Sequence, residues 1–114
     1  MTFEAPIPDD TLEFIKRCVR QNKIYWTYHV NMRLKGRFIS RLMILDSIDN
    51  YEIIEAYPKD KYLLSYLVFS SYQNQVFHVL FAADVEGDNL RIVTAYYPKE
   101  EEWEEDLKKR RKSK

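Results

Sequence analysis

The sequence predicts an α+β fold in which N-terminal helices pack on a four-stranded, mainly antiparallel sheet and a C-terminal helix ends the chain. Apolar residues recur with the period of an amphipathic helix before about residue 50, and as β-branched and aromatic runs after it. Turn-forming residues separate those runs. The chain has 114 residues, of which 46% are hydrophobic, with only 2 Gly and 4 Pro, and this is enough for one domain with its own core.

Three helical segments are predicted in the first half of the chain: residues 10–21, residues 25–35 and a third segment after Ser40. The first is expected to start within residues 8–11, where Asp10 and Glu13 have the spacing of a capping pair. The second is expected to end at Gly36, because glycine suits the left-handed position that follows a helix. Ser40 is a suitable N-cap for the third.

Four strands of an antiparallel meander are predicted at residues 51–57, 64–72, 76–84 and 90–97. Turn-forming residues connect them at positions 58–60, 73–74 and 87–88. If the last two connections are two-residue turns, His78 lies opposite Phe69 on one neighbouring strand and opposite Tyr97 on the other.

The C-terminal segment, residues 99–114, is predicted to form a helix, because its acidic residues precede most of its basic ones and this order complements the helix dipole. Trp103 and Leu107 are the residues that could fix it to the body of the protein. We therefore expect a single domain over residues 1–114. It would have an N-terminal helical extension at residues 1–24, and a C-terminal helix with a basic tail.

The charged residues are unevenly distributed. The formal net charge is zero, with 18 basic and 18 acidic residues, which argues against a general nucleic-acid binder. However, residues 14–45 contain eight lysines and arginines and no carboxylate. Two interpretations stay open: these cations balance acidic neighbours in the fold, or they form a local phosphate-binding surface.

Other sequence patterns argue against a membrane protein, a disulfide and a metal site. No run of about 20 apolar residues could span a bilayer, and the N-terminus lacks the basic and apolar regions of a signal peptide, so a cytoplasmic protein is expected. The single cysteine, Cys18, cannot form an internal disulfide and has no neighbour at metal-ligand spacing. We therefore expect neither a metal nor another cofactor.

His29 and Arg33 are the main candidates for chemistry in the first half, with Arg37 and Arg41 as further candidates for phosphate binding. The i, i+4 spacing puts His29 and Arg33 on one helix face, whereas Arg37 lies just past the expected end at Gly36. That face lies between two apolar groups and is therefore expected to border a cleft. An imidazole beside a fixed cation is a useful base next to a phosphate, while a surface histidine bonded to a backbone group is the alternative.

His78, Thr94 and Tyr96 are the candidates in the second half. His78 lies within an otherwise apolar strand, where a structural histidine with satisfied hydrogen bonds is the alternative interpretation. Tyr96 and Thr94 lie near the end of the last strand, and a tyrosine there could stack on a base or donate to a phosphate. Most of the 9 tyrosines are expected at the edge of the core instead.

These residues belong to an ordered set of motifs that extends from about residue 25 to the C-terminal segment. The motifs are His29-x-x-x-Arg33, Ile39-Ser40, Tyr51-Glu52-Ile53-Ile54-Glu55-x-Tyr57-Pro58-x-Asp60, Phe77-His78-Val79, Ile92-Val93-Thr94-Ala95-Tyr96-x-Pro98, and Trp103 to Arg110. The set resembles a bacterial family in the four-thousand series of domains of unknown function. That family is placed beside the RelE-like superfamily (barnase, EndoU, colicin and RelE) of metal-independent ribonucleases and toxin components.

The resemblance implies a RelE-like fold and a candidate function as a metal-independent endoribonuclease or toxin-like component. His29 and His78 would then be the catalytic acid and base. The candidate substrate-binding residues are Arg33, Arg37, Arg41, Thr94 and Tyr96. RNA and an antitoxin-like protein are the candidate partners. Because a fold does not fix a function, a non-catalytic RNA-binding or protein-interaction module of the same fold is the alternative.

Overall fold

The described part of the chain has an α+β fold with three helices and a five-stranded mixed sheet. The structure is a computed structural model, and it describes residues 10–57 and 63–112. Its elements in chain order are α1 (Thr11–Arg20), β1 (Ile24–Tyr25), α2 (Tyr28–Gly36), α3 (Arg41–Asp46), a 3-10 turn (Ile48–Asn50), β2 (Glu52–Tyr57), β3 (Leu64–Tyr72), β4 (Gln75–Asp84) and β5 (Asn89–Tyr96). The α+β class that the sequence predicts is confirmed, whereas the four-stranded sheet and the C-terminal helix are not. The predictions for positions 8–9, 58–60 and 113–114 lie outside the described residues.

The sheet has the strand order β1-β5-β4-β3-β2. The four predicted strands form the antiparallel meander β2 to β5, and each strand end lies within one residue of its predicted position. The fifth strand, β1, was not predicted. It pairs in parallel with β5, with Ile24 opposite Leu90 and Tyr25 opposite Arg91. A two-residue strand is too short to show an alternating pattern in the sequence.

The N-caps of α1 and α3 are those that the sequence predicts. The side chain of Asp10 accepts a hydrogen bond from the Glu13 N–H at 3.0 Å, and the hydroxyl of Ser40 accepts one from the Met43 N–H at 3.1 Å. No helix in the described ranges is long and apolar enough to cross a membrane.

The second helix begins three residues later than predicted. Tyr25 belongs to β1, and α2 begins at Tyr28 because Thr27 is its N-cap. The Thr27 hydroxyl accepts a hydrogen bond from the Val30 N–H at 3.1 Å. The first turn of α2 carries no acidic residue, so its positive end is not neutralised locally.

The C-terminal end of α2 is a Schellman motif. The Phe38 N–H donates to the Lys35 carbonyl at 3.2 Å, and the Ile39 N–H donates to the Leu34 carbonyl at 3.0 Å. Phe38 is the left-handed residue of this motif, with a φ of 59°. The prediction that Gly36 takes the left-handed position is therefore wrong, because Gly36 is the last residue of the helix.

The helices cover one face of the sheet and form the main core with it. Successive side chains of β4 point to opposite faces of the sheet. Phe77, Val79 and Phe81 point to the face that the helices cover and lie in the main core, whereas His78 lies on the opposite face. The largest fully buried members of this core are Phe77, Phe81, Ile15, Ile44, Leu64, Leu90 and Ile92.

The two hairpin turns differ in length. Gln73 and Asn74 form the predicted two-residue turn between β3 and β4, and both have a positive φ, as type I′ turns require. The connection between β4 and β5 has four residues, 85–88, instead of two. It is held by the carboxylate of Asp84, which accepts a hydrogen bond from the Gly87 N–H at 2.8 Å.

The longer turn changes the partner of His78 on β5. A bulge at Val93 offsets part of the change, so that His78 lies opposite Tyr96. The predicted pairing of His78 with Tyr97 is therefore wrong, whereas its predicted pairing with Phe69 on β3 is confirmed.

The predicted C-terminal helix is also wrong. Residues 100–111, here called the C-terminal hairpin, form turns that are joined by a β-bridge between Trp103 and Arg110. Leu107, near the tip, has a φ of 60°, which an α-helix does not accommodate.

The C-terminal hairpin packs on the second face of the sheet. Trp103 is 1% exposed, and its ring lies 4.5 Å from the His78 ring. The Arg110 guanidinium lies 4.6 Å above the Trp103 ring and donates hydrogen bonds of 2.7 and 3.1 Å to the Glu55 carboxylate on β2. Arg110 and Lys108 therefore pair with the sheet, and this long-range pairing replaces the local dipole pattern that predicted a helix.

Candidate anion-binding site

A pocket of about 380 Å³ lies between the first half of α2 and strands β3, β4 and β5. This volume is within the range of small-ligand sites in proteins. The pocket is lined by Thr27, His29, Val30, Arg33, Leu63, Ser65, Ala82, Arg91, Ile92 and Val93.

Small side chains in the sheet leave room for this pocket. Ser65, Ala82 and Arg91 lie directly opposite one another on three adjacent strands. Tyr25 continues the same row on β1. Cross-strand neighbours share one side of a sheet, so two short side chains lie beside an arginine and a tyrosine.

The pocket is cationic. Arg33 and Arg91 are both exposed, and neither side chain makes a hydrogen bond or an ion pair with another of the described residues. No Asp or Glu is among the described lining residues, while His29 adds an imidazole. Thr27 and Val30 bring the N-terminal end of α2 to the pocket, where the helix dipole and the first-turn N–H groups other than the capped Val30 N–H favour an anion. This arrangement can bind a phosphate group.

Two exposed tyrosine rings flank the pocket. Tyr28 is 73% exposed, and its ring meets the His29 imidazole edge-on at 6.1 Å. Tyr25 is 61% exposed and lies opposite Arg91 in the sheet. Exposed aromatic rings beside cations are typical of surfaces on which nucleobases stack.

The sequence identified part of this site. His29 and Arg33 occupy one pocket, consistent with the predicted cleft beside their shared helix face. Arg91 was missed, because a single arginine in an apolar strand has no distinctive pattern. The parallel pairing of β1 with β5, which places Tyr25 opposite Arg91, has no sequence signal either.

Three other candidates make contacts outside the pocket. Arg37 donates to the Ala95 carbonyl at 2.6 Å and to the Thr94 hydroxyl at 3.0 Å, so it fastens the end of α2 to the outer edge of β5. Arg41 donates to the Asn31 side-chain oxygen at 2.9 and 3.1 Å. A role of Arg37, Arg41 and Thr94 in substrate binding stays a prediction.

His78 is fully buried and does not line the pocket. Its Nε2 lies 2.7 Å from the Leu107 carbonyl, which can only accept, so Nε2 carries a proton. Its Nδ1 lies 3.3 Å from the Tyr96 hydroxyl, which can donate to it. Burial lowers the pKa of His78, although the hydrogen bond to the Leu107 carbonyl favours the protonated ring. Burial likewise raises the pKa of Tyr96 to about 12. The structure thus places His29 and His78 in different surroundings.

Apart from Lys16, the cations of residues 14–45 fall into two groups. Arg17 and Lys23 both pair with Asp88, and Arg20 pairs with Glu13 at 2.9 Å. The hydrogen bonds from Arg17 and Lys23 hold the pKa of the Asp88 carboxyl well below its usual range. The second group, from α2 to the start of α3, has no carboxylate partner among the described residues. Its members are Arg33, Lys35, Arg37 and Arg41. The charge-balance interpretation therefore applies to Arg17, Arg20 and Lys23, whereas a phosphate-binding surface at the second group stays a prediction.

No three His, Cys, Asp or Glu side chains are grouped to hold a metal ion within the residues that the structure describes. The polar groups that line the pocket include arginines and helix N–H groups, which bind anions directly.

The family comparison covers the segment that carries the pocket. The model of family DUF4258, a domain of unknown function, matches residues 26–97. The matched segment includes His29, Arg33 and Arg91, and it excludes α1 and the C-terminal hairpin. No curated protein and no solved structure gives a significant match, so the comparisons add no RelE-like relative. Because the match covers more than half of the chain, the protein belongs to the DUF4258 family.

Proposed function

We propose that the protein binds single-stranded RNA, with a backbone phosphate in the pocket between α2 and β5. The main support is that Arg33 and Arg91 line the same pocket. Neither side chain has a hydrogen-bond or ion-pair partner among the described residues, and no carboxylate is among the described residues that line the pocket. A guanidinium presents two parallel N–H groups that match two phosphate oxygens, so an arginine pair suits this anion.

The flanking tyrosines favour a nucleic acid over a free inorganic anion. Tyr25 and Tyr28 are largely exposed, Tyr25 opposite Arg91 in the sheet and Tyr28 against His29, although burial of their rings would stabilise the fold. Stacking on such rings is independent of base identity and requires unpaired bases. Single strands therefore fit this surface better than a duplex, whose bases are stacked on one another.

The charge balance of the chain predicts a local mode of binding. A formal net charge of zero provides little long-range attraction for a polyanion. Affinity should therefore depend on the few cations at the pocket, and its salt dependence should correspond to a small number of bound phosphates.

Fluorescence anisotropy with a labelled single-stranded RNA of about 12 nucleotides tests the proposal, since small single-strand binders cover sites of this size. The double substitution Arg33→Gln, Arg91→Gln should weaken binding by about tenfold or more. It should also flatten the plot of log affinity against log salt by about 0.7 for each phosphate that the variant no longer binds.

The matched control is Arg20→Gln, which removes an exposed arginine from α1 that pairs with Glu13. It should leave both the affinity and the salt slope unchanged. An unchanged salt slope in the Arg33, Arg91 double variant, with a native circular dichroism spectrum, would contradict the proposal. Binding would then be assigned to another basic segment, such as residues 108–112.

RNA cleavage is a second candidate function, and the position of His29 in the same pocket favours it. An imidazole there could take the proton of a ribose 2′-hydroxyl, while Arg33 and Arg91 stabilise the charge that develops on the phosphate. The sequence hypothesis of a RelE-like endoribonuclease or toxin-like component pairs His29 with His78. The buried position of His78 favours a version of that hypothesis in which His29 is the pocket's imidazole.

The RNA samples of the binding experiment also test cleavage. If His29 is catalytic, wild-type protein in EDTA should leave 2′,3′-cyclic phosphate ends, and His29→Ala should lower the rate by about 10²- to 10⁴-fold while RNA binding is retained. If the folded wild-type protein does not cleave RNA, with or without ribosomes, RNA binding without catalysis remains as the proposed function.

A further inference from the structure

A second surface lies at the corner between α2 and α3, and its apolar residues are exposed. Phe38 is 85% exposed and Leu42 is 56% exposed. Phe38 occupies the left-handed position of the Schellman motif, where glycine is the usual residue because a Cβ is unfavourable there. Neither burial nor backbone geometry therefore accounts for a phenylalanine at this position.

The exposed corner borders a cleft of about 450 Å³. The cleft is lined by Asn31, Leu34, Lys35, Phe38, Ile39, Ser40 and Arg41. Its floor is apolar, because Leu34 and Ile39 are buried side chains of the main core. A recessed apolar floor beside a protruding aromatic ring suits the side chain of a partner.

The cleft and the anion-binding pocket lie on opposite sides of α2. At 100° per residue, Asn31 and Lys35 lie about 200° around the helix from His29 and Arg33. A ligand in one site therefore does not occupy the other, and the two sites can be tested separately.

The rim of the cleft is positively charged. Lys35 has no carboxylate within ion-pair distance among the described residues, and Arg41 is held by the neutral oxygen of Asn31. Arg37, next to the corner, is likewise held by a backbone carbonyl. Because neutral acceptors leave these cations uncompensated, the surface is complementary to a negatively charged partner.

We propose that this cleft binds an acidic peptide segment of a partner protein, which inserts an apolar side chain beside Phe38. The charge of the rim accounts for the acidic character, and the apolar floor accounts for the inserted side chain. A flat bilayer surface would contact Phe38 and Leu42 but would leave the cleft empty. RNA would gain no hydrogen bonds from Leu34 and Ile39. The proposal does not depend on RNA binding at the other side of α2.

Phage display of random linear peptides on the full-length protein tests this proposal. Enriched peptides should carry net negative charge and a shared aromatic or aliphatic residue. Their affinity, measured by fluorescence anisotropy, should fall at least about tenfold in Phe38→Asn, because truncation of a central aromatic anchor removes a large share of binding energy. Lys35→Glu should weaken the same peptides by repelling their carboxylates.

Phe38→Asn is chosen because asparagine tolerates a left-handed backbone, so the Schellman motif should be kept and the thermal midpoint should not fall. Arg33→Gln, on the opposite side of α2, is the matched control and should retain peptide binding. Absence of enrichment, or peptides that bind Phe38→Asn as well as wild type, would overturn the proposal. So would a loss of RNA binding in Phe38→Asn, or Phe38-dependent sedimentation with phosphatidylserine vesicles, since the corner would then belong to an RNA or membrane site.

Discussion

Removal of the Trp103 side chain should show that the C-terminal hairpin is an integral part of the fold, although the family match ends before it. Trp103 is 1% exposed and packs edge-on against His78 at 4.5 Å. The Arg110 guanidinium lies 4.6 Å above the Trp103 ring. Trp103→Ala would leave a cavity between the hairpin and the sheet, and the Arg110 stem would lose its packing surface.

The magnitude follows from the burial of the ring. A buried aromatic side chain removes about 150 to 250 Å² from water, and substitution of such residues by alanine costs about 3 to 5 kcal/mol. With an unfolding entropy of about 2.1 cal/mol/K per residue, a loss of about 4 kcal/mol would lower the thermal midpoint by about 17 °C. This is a large part of the roughly 5 to 15 kcal/mol that stabilises a typical domain.

Urea denaturation followed by far-ultraviolet circular dichroism measures the effect, because the signal does not depend on the fluorescence of the substituted tryptophan. Glu105→Ala, an exposed substitution in the same hairpin, is the control and should change the free energy of unfolding by less than about 0.5 kcal/mol. A loss below about 1 kcal/mol in Trp103→Ala would refute the packing of the hairpin on the sheet.

Two further predictions concern stability. Because burial lowers the pKa of His78, the unfolded chain binds a proton at this residue at a higher pH than the native protein does. The stabilisation is therefore present above pH of about 6.5 and is lost as pH falls toward the native pKa, with a slope of at most about 1.4 kcal/mol per pH unit. Urea titrations between these limits should show that His78→Gln removes this slope. An identical slope in His78→Gln and wild type would contradict the assignment to His78. In the β3–β4 turn, both residues have a positive φ, so the double substitution Gln73→Asn, Asn74→Gly should raise the free energy of unfolding by about 0.5 to 1 kcal/mol, and a decrease would argue against a type I′ turn.

Elements with local signals were predicted closely from the sequence. Asp10 and Ser40 cap their helices as expected, because an N-cap needs a side-chain oxygen and an N–H only three residues away. The turn at Gln73 and Asn74 likewise depends on two adjacent residues that tolerate a positive φ. This turn sets the register between β3 and β4, which explains why the pairing of His78 with Phe69 was predicted correctly.

Elements that depend on distant partners were predicted incorrectly. The C-terminal segment has the charge order of a helix, but Arg110 bonds to Glu55, which is 55 residues away in the chain. Gly36 stays within α2, and Phe38 takes the left-handed position instead, because Leu34 and Ile39 on either side of it are both buried. In both cases tertiary contacts outweigh local preferences that are individually small.

The candidate site likewise contains residues whose relation follows from local structure and residues that only tertiary contacts bring into place. The sequence by itself determined that His29 and Arg33 share a helix face, because the i, i+4 relation is a property of the helix alone. Tertiary structure alone decided that Arg91 joins them and that His78 is enclosed by the C-terminal hairpin. The position of Arg91 requires α2 to pack against β5, and the burial of His78 requires the hairpin to fold back on the sheet. Neither contact follows from a sequence period, because each depends on how separate elements fill a shared volume.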